Sequence, residues 1–103
     1  MVSVVKVRLE AFSELTDIFG GKNLGHIIIE EEIGEGTTAR KLFNNLAARY
    51  TKFKELVFNP TTQKLTGNTV IILNGLFLDM DSGLETPIRE RDIIAFVPVI
   101  GDG

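Results

Sequence analysis

The sequence contains no cysteine and no tryptophan, and only three prolines and one histidine occur among its 103 residues. Without cysteine the chain cannot form a disulfide, and it has no thiolate to act as a nucleophile or a metal ligand. The single histidine, His26, has no cysteine or second histidine to join it in a metal site. No Ser-His-Asp arrangement can be assembled around it either. We therefore interpret His26 as a solvent-facing strand residue.

The sequence also lacks long apolar runs and an excess of positive charge. No apolar run approaches the roughly 20 residues that a transmembrane helix needs, and Lys6 and Arg8 interrupt the apolar N-terminal segment, unlike a signal peptide. The net charge of −3 and the pI near 5.1 argue against a surface that binds nucleic-acid phosphates. We expect a single cytoplasmic domain, residues 1–103, that binds neither nucleic acid nor membrane.

The hydrophobic pattern predicts a strand, a short helix and a second strand in the first third of the chain. Residues 5–9 alternate between apolar and charged side chains, which is the period of a strand with one buried face. Apolar residues between 12 and 19 recur at helical spacing, and Gly20-Gly21 ends that helix. A β-branched run then predicts a strand over residues 26–33.

The clearest predicted element is a helix that starts after Thr37 or Thr38, either of which can cap it. Its apolar stripe consists of Ala39, Leu42, Phe43, Leu46, Ala47 and Tyr50. The signal weakens over residues 51–68, where residues 53–58 favour one helical turn against the core. The helix that starts after Thr37 or Thr38 is therefore the principal helix of the sequence.

The second half of the chain is predicted to be mainly strands. Residues 69–73 form a strand, and Asn74-Gly75 is a strong hairpin signal that returns the chain through residues 76–78. Residues 79–91 form a loop before the last strand, which covers residues 92–97. Strands at both ends around one main helix predict an α+β domain, with a mixed sheet packed on that helix.

Two motifs resemble ligand-binding loops but have simpler interpretations. The segment 34–39 matches a glycine-rich dinucleotide pattern, but the short segments around it do not form the strand-helix-strand unit that this site needs. The segment 79–83 starts like a calcium loop but lacks the third acidic ligand and a following helix. We therefore predict a tight turn in the segment 34–39 and an Asx turn in the segment 79–83. We predict no metal site and no bound cofactor. The chain is therefore not expected to be an enzyme alone.

The C-terminal segment is the most informative part of the sequence. The last strand runs into a proline and then into a narrow glycine-containing segment. Glycine has no side chain, so such a segment is thin enough to enter the active site of another protein. We predict a flexible tail over residues 98–103 that contacts a partner, and a reactive carboxylate at its tip. The tail residues are Pro98, Val99, Ile100, Gly101 and Asp102, and Gly103 supplies the carboxylate.

Together these elements resemble the ubiquitin-like β-grasp sulfur carriers, especially the small subunit of molybdopterin synthase and its thiamine-pathway relative. The resemblance rests on residues 12–20, 36–42, 70–75 and 84–100, followed by the terminal glycine. It covers nearly the whole chain, and residues 51–68 look like the longer loop of some members. It implies the ubiquitin-like β-grasp fold.

The resemblance also implies a function for Gly103. In this family a ubiquitin-activating-like adenylyltransferase uses ATP to adenylate the terminal carboxylate, which is then converted to a thiocarboxylate. The large subunit of molybdopterin synthase receives the tail and uses the sulfur to build molybdopterin. The chain would then bind no cofactor itself, because its partner uses the ATP.

The sequence departs from the family pattern at two positions. The family ends in Gly-Gly, whereas Asp102 precedes Gly103 here, and its negative charge would approach the ATP phosphates during adenylation. The family usually has glycine in the turn before the last strand, where this chain has Arg91. If that position has a positive φ, Arg91 costs on the order of 1 kcal/mol.

Two other functions stay open. In the first, the chain is a protein modifier that joins Gly103 to a lysine. In the second, it is a β-grasp binding module that no longer transfers a chemical group. Such a module would bind a partner through the face of the sheet, with Phe77 and Phe96 as anchors. The alternative interpretation of both phenylalanines is that they belong to the core.

Overall fold

The computed structural model describes residues 3–22 and 25–99. The strands are β1 (Val4–Phe12), β2 (His26–Gly34), β3 (Phe58–Asn59), β4 (Lys64–Leu65), β5 (Thr69–Leu73), β6 (Leu76–Phe77) and β7 (Ile93–Pro98). The helices are α1 (Ala39–Arg49), α2 (Thr51–Leu56) and two 3₁₀ helices (Ser13–Phe19 and Ser82–Glu85).

The main sheet has five strands in the order β2-β1-β7-β5-β6. Strand β7 lies at the centre, parallel to β1 and antiparallel to β5, while β2 and β6 pair antiparallel with their neighbours at the two edges. One face of this mixed sheet packs on α1. The predicted α+β class and β-grasp architecture are confirmed.

The apolar stripe of α1 forms the centre of the core. Leu42, Phe43 and Leu46 are at most 1% exposed, and burial of each such side chain stabilises the fold by roughly 1.5–3 kcal/mol. The ring centroid of Phe43 lies 6.0 Å from that of Phe96 on β7. The predicted helix thus joins the central strand through aromatic contact.

The segment between α1 and β5 is more regular than the sequence indicates. The predicted helical turn is confirmed as α2, whose Phe53 is completely buried. Strands β3 and β4 form a small ribbon that the sequence did not predict. Gln63 fixes this ribbon to α1, because its side-chain amide donates to Asn44 Oδ1 at 2.7 Å and accepts from Asn44 Nδ2 at 2.9 Å.

Two turns, at Asn74-Gly75 and at Arg91, have a left-handed backbone. Asn74 and Gly75 have φ angles of 52° and 87°, as the two central residues of a type I′ hairpin require. Arg91 has a φ angle of 69°, and its backbone N–H donates to the Lys6 carbonyl oxygen at 2.7 Å. Arg91 therefore has the positive φ at which a residue other than glycine is expected to cost stability, because glycine adopts this conformation more easily.

The predicted start of the C-terminal tail needs a correction. Pro98 is the last residue of β7 and pairs with Thr69. The backbone N–H of Val99 donates to the Asn68 carbonyl oxygen at 3.1 Å. Residue 98 therefore belongs to the sheet, and residue 99 is held at its edge by the residue that precedes β5. Ile100, Gly101, Asp102 and Gly103 lie outside the described residues.

Candidate functional site

The candidate site is the face of the sheet that points away from α1, here called the outer face. Residues 7, 9 and 11 of β1 face the core and are at most 2% exposed, so the residues between them lie on the outer face. The pairing register extends this assignment across β7, β5 and β6. Six outer-face residues form an apolar patch: Val70, Ile72, Phe77, Ile93, Ala95 and Val97.

One row of directly paired residues crosses all five strands of the outer face, and we call it the central row. Ile28 is opposite Glu10, and Glu10 is opposite Ala95. Ala95 is opposite Ile72, which is opposite Phe77. Directly paired residues in a sheet are close enough for their side chains to touch. Four apolar side chains and one carboxylate thus lie side by side.

Glu10 has a defined partner beside the row. His26 Nε2 lies 3.3 Å from Glu10 Oε1, and the His26 ring stacks on Phe12 with a centroid distance of 4.4 Å. The Glu10 side chain is 17% exposed, whereas that of His26 is 43% exposed. The Glu10 side chain is thus largely covered, although it lies on the outer face.

The apolar patch continues to the point where the chain leaves the sheet. Val97 belongs to the patch, and Val99 is held by Asn68 two residues later. A protein that covers the patch would therefore also lie beside Val99, the last described residue. The outer face is thus apolar as far as the last residues of β7.

The far end of the outer face is charged. Arg8 is opposite Glu30 and Lys6 is opposite Glu32 across β1 and β2. Beside them a cleft of about 400 Å³ is lined by residues that include Lys6, Arg8, Glu90 and Arg91. The outer face is thus apolar at the C-terminal end of β7 and charged at the opposite end.

The structure separates the two phenylalanines predicted as anchors. Phe77 is 79% exposed at the end of the central row, where it can contact a partner. Phe96 is completely buried, and its ring meets that of Phe53 edge to face at 5.4 Å. The prediction of Phe96 as an interface residue is therefore wrong, and the core interpretation applies.

Sequence reasoning missed most of the apolar patch, although a signal was present. Residues 70–73 and 93–97 are unbroken apolar runs. Such runs are typical of strands with both faces covered, whereas only one face of this sheet packs on the helix. The excess apolar residues at positions 70, 72, 95 and 97 therefore lie on the outer face.

The segment 79–83, whose sequence starts like a calcium loop, forms an Asx turn. Asp79 Oδ1 accepts the backbone N–H groups of Asp81 and Ser82 at 2.8 and 2.9 Å. The hydrogen bond from Asp81 contributes most to lowering the pKa of the Asp79 carboxyl below its ordinary value, and the hydrogen bond from Ser82 lowers it further.

Within residues 3–22 and 25–99 no group of three or more His, Asp or Glu residues is arranged to hold a metal ion. The same residues include no helix long and apolar enough to cross a membrane.

Comparison with known proteins adds a family and a fold. The model of the ThiS family matches residues 14–103. No curated protein matches the chain. The fold resembles the Haloferax volcanii HVO 2177 protein, with a TM-score of 0.76, 16% identity, and coverage of 97% of this chain and 88% of that one.

Two further solved structures have the same fold. One is a putative molybdopterin converting factor, subunit 1, from Pyrococcus furiosus, with a TM-score of 0.69, 23% identity, and coverage of 93% of this chain and 99% of that one. The other is the small archaeal modifier protein 1 from Methanosarcina acetivorans, with a TM-score of 0.70, 22% identity, and coverage of 98% and 99%. The family match extends over most of the chain, and the fold agrees with it. The chain therefore belongs to the ThiS family of ubiquitin-like sulfur carriers, which are not enzymes on their own.

Proposed function

We propose that this chain is a cytoplasmic sulfur carrier for molybdopterin biosynthesis, and that the Gly103 carboxylate is its reactive group. A ubiquitin-activating-like adenylyltransferase activates this carboxylate with ATP, and the large subunit of molybdopterin synthase then receives the thiocarboxylate. The chain contributes the acyl group and the docking surface, and its partners contribute the catalysis.

The observation that supports this proposal most strongly is the path of β7. This strand lies at the centre of the sheet, and the fold holds it through Val99. The family match continues from there to Gly103. A rigid strand that leads into a short segment containing glycine presents the chain end to a partner without disturbing the core.

The chemistry takes two steps. A carboxylate oxygen of Gly103 attacks the α-phosphorus of ATP, and pyrophosphate leaves, which produces an acyl adenylate. A hydrosulfide-type nucleophile from the sulfur donor then attacks the acyl carbon, and AMP leaves with the C–O bonding electrons. The product is a thiocarboxylate, which is a nucleophilic sulfur donor.

Two observations bear on the pathway. The structurally similar Pyrococcus furiosus protein is described as a subunit of a molybdopterin converting factor, and this favours molybdopterin as the destination of the sulfur. The similar protein from Methanosarcina acetivorans is described as a protein modifier. The second candidate function is therefore attachment of Gly103 to a lysine of another protein.

The test is intact-mass measurement after incubation with ATP, a sulfur donor and the adenylyltransferase encoded in the same genome. The proposed function predicts a mass gain equal to the replacement of one oxygen by sulfur. Deletion of Gly103 is the control and should remove the gain. Conjugates of higher mass that depend on Gly103 would support the modifier function. An unchanged mass with an enzyme that activates another carrier would contradict both functions.

A further inference from the structure

Glu10 is the only charged residue of the central row. Its neighbours in the row are Ile28 and Ala95, both apolar. Within the described part of the chain, His26 is the residue that gives its carboxylate a side-chain partner. The neutral imidazole donates through Nε2 in only one of its two tautomers.

A partner that covers the apolar patch would remove water from Glu10 as well. Its side chain is already only 17% exposed, so a protein surface over Ala95 and Ile72 would remove most of its remaining contact with water. Burial of a carboxylate is unfavourable unless a cation or hydrogen-bond donors replace the lost water. A purely apolar partner surface would therefore be penalised at this position.

We propose that Glu10 selects the docking partner, and that the partner surface is apolar except for one arginine or lysine that pairs with Glu10. This inference rests on the proposed function, because the partner meant is the adenylyltransferase. The patch includes Val97 and lies two residues before Val99, from which four residues lead to Gly103, so the enzyme that receives Gly103 also covers the central row. Glu10 fixes the orientation of the docked carrier, since it is the one charge in a row of apolar side chains, and the next charged residue of the outer face on its strand, Arg8, lies two positions away towards the charged end.

The direction in which the substitution Glu10→Val changes the Kd distinguishes a partner surface with a cation from a purely apolar one. If the enzyme places a cation opposite Glu10, valine leaves that cation buried and unpaired, and binding weakens by about tenfold or more. If the covering surface is purely apolar, valine removes a desolvation penalty and binding becomes tighter. The Kd should be measured by calorimetry with the adenylyltransferase from the same genome, without sulfur donor.

Matched variants separate this effect from general changes in charge or folding. Glu32→Gln changes an exposed carboxylate at the charged end of the outer face, opposite Lys6, and should change the Kd by less than Glu10→Gln does. The double variant Glu10→Val/His26→Phe should bind as weakly as Glu10→Val, which excludes an effect of a freed histidine. Thermal unfolding of every variant shows whether the domain remains folded.

The outcomes distinguish this inference from the proposed function. Weaker binding of Glu10→Val with an unchanged melting temperature supports the inference, even if the wild type binds without gaining mass. Equal or tighter binding of Glu10→Val overturns it, even if the wild type is converted to the thiocarboxylate. No binding of the wild type to the enzyme removes the proposed partner and overturns the inference with it.

Discussion

The backbone nitrogen of Val99 lies 3.1 Å from the carbonyl oxygen of Asn68. This hydrogen bond extends the β5–β7 pairing one residue beyond Pro98, so the sheet holds the chain as far as Val99. Four residues follow, and extended backbone covers at most about 3.5 Å per residue. In the proposed function, the Gly103 carboxylate can therefore act no more than about 14 Å beyond the sheet.

We predict that this reach is only just long enough for Gly103 to be adenylated at the normal rate. Deletion of Gly101 keeps a terminal glycine but shortens the reach by about 3.5 Å, and we expect about 100-fold slower adenylation, because a small displacement of a reacting group has a large effect on rate. Adenylation is measured as ATP–pyrophosphate exchange with the adenylyltransferase. Replacement of Gly101 by alanine is the control, because it keeps the length. A rate within threefold of wild type for the deletion would contradict the prediction.

The negative charge next to Gly103 should slow activation. Asp102→Gly removes the repulsion between this side chain and the ATP phosphates, and we expect about tenfold faster adenylation, which corresponds to about 1.4 kcal/mol. The same exchange assay measures it. Asp102→Asn, with a side chain of the same size and no charge, should show most of the gain. An unchanged rate in both variants would contradict the prediction, and a slower rate would indicate that the enzyme has a cation opposite Asp102.

The exposed and buried phenylalanines should respond in opposite ways. Phe77→Ala should leave the melting temperature nearly unchanged and weaken binding to the adenylyltransferase, because this side chain is 79% exposed on the outer face. Phe96→Ala should destabilise the fold by about 3–5 kcal/mol, because it leaves a cavity among aromatic rings. Urea unfolding and the Kd of each variant provide the comparison. A large loss of stability in Phe77→Ala would contradict the assignment of the outer face.

Arg91 should be a site of stored backbone strain. Its φ angle of 69° is unfavourable for a residue with a Cβ atom, and Arg91→Gly should stabilise the domain by up to about 1 kcal/mol after the larger entropy of glycine in the unfolded chain is counted. Arg91→Ala removes the same charge but keeps the Cβ atom. We expect no gain from alanine in urea unfolding. Equal stabilisation by both would attribute the effect to the charge instead.

A charge on the inner stripe of α1 should unfold the domain. Leu46 is completely buried, and Leu46→Asp would place an unpaired carboxylate among apolar side chains, at a cost of several kcal/mol. This is comparable to the whole stability of a small domain. Circular dichroism should show loss of the cooperative thermal transition. Asn45→Asp, at the exposed neighbouring position, should remain folded.

The Asp79 carboxyl should titrate below pH 3.8, because it accepts N–H groups from Asp81 and Ser82 in the folded state. A pKa lowered by folding contributes stability above the unfolded value, and this contribution is lost as the pH falls through the folded value. The stability difference between wild type and Asp79→Asn should therefore shrink below about pH 4. Carbon NMR of the carboxyl gives its pKa directly, and a midpoint at or above 3.8 would contradict the prediction.

Local patterns were sufficient where each residue acts on its near neighbours. The stripe that contains Leu42 and Leu46 predicted α1, and Asn74-Gly75 predicted a hairpin, because these signals depend on helical period and on local φ preferences. The ribbon β3–β4 was not predictable in this way. It depends on Gln63 and Asn44, which are 19 positions apart and meet only after the chain has folded.

The sequence by itself determined the α+β class, the main helix, the hairpin and the resemblance to sulfur carriers, because period, turn chemistry and motif are properties of adjacent residues. Only the tertiary structure decided which apolar strand residues face solvent, because that depends on strand register and on the single helical layer. The register separated Phe77 from Phe96 and brought Glu10 between Ile28 and Ala95. It also placed Pro98 in the sheet and Val99 at its edge, since their backbone partners on β5 and at Asn68 are about 30 positions away in the chain.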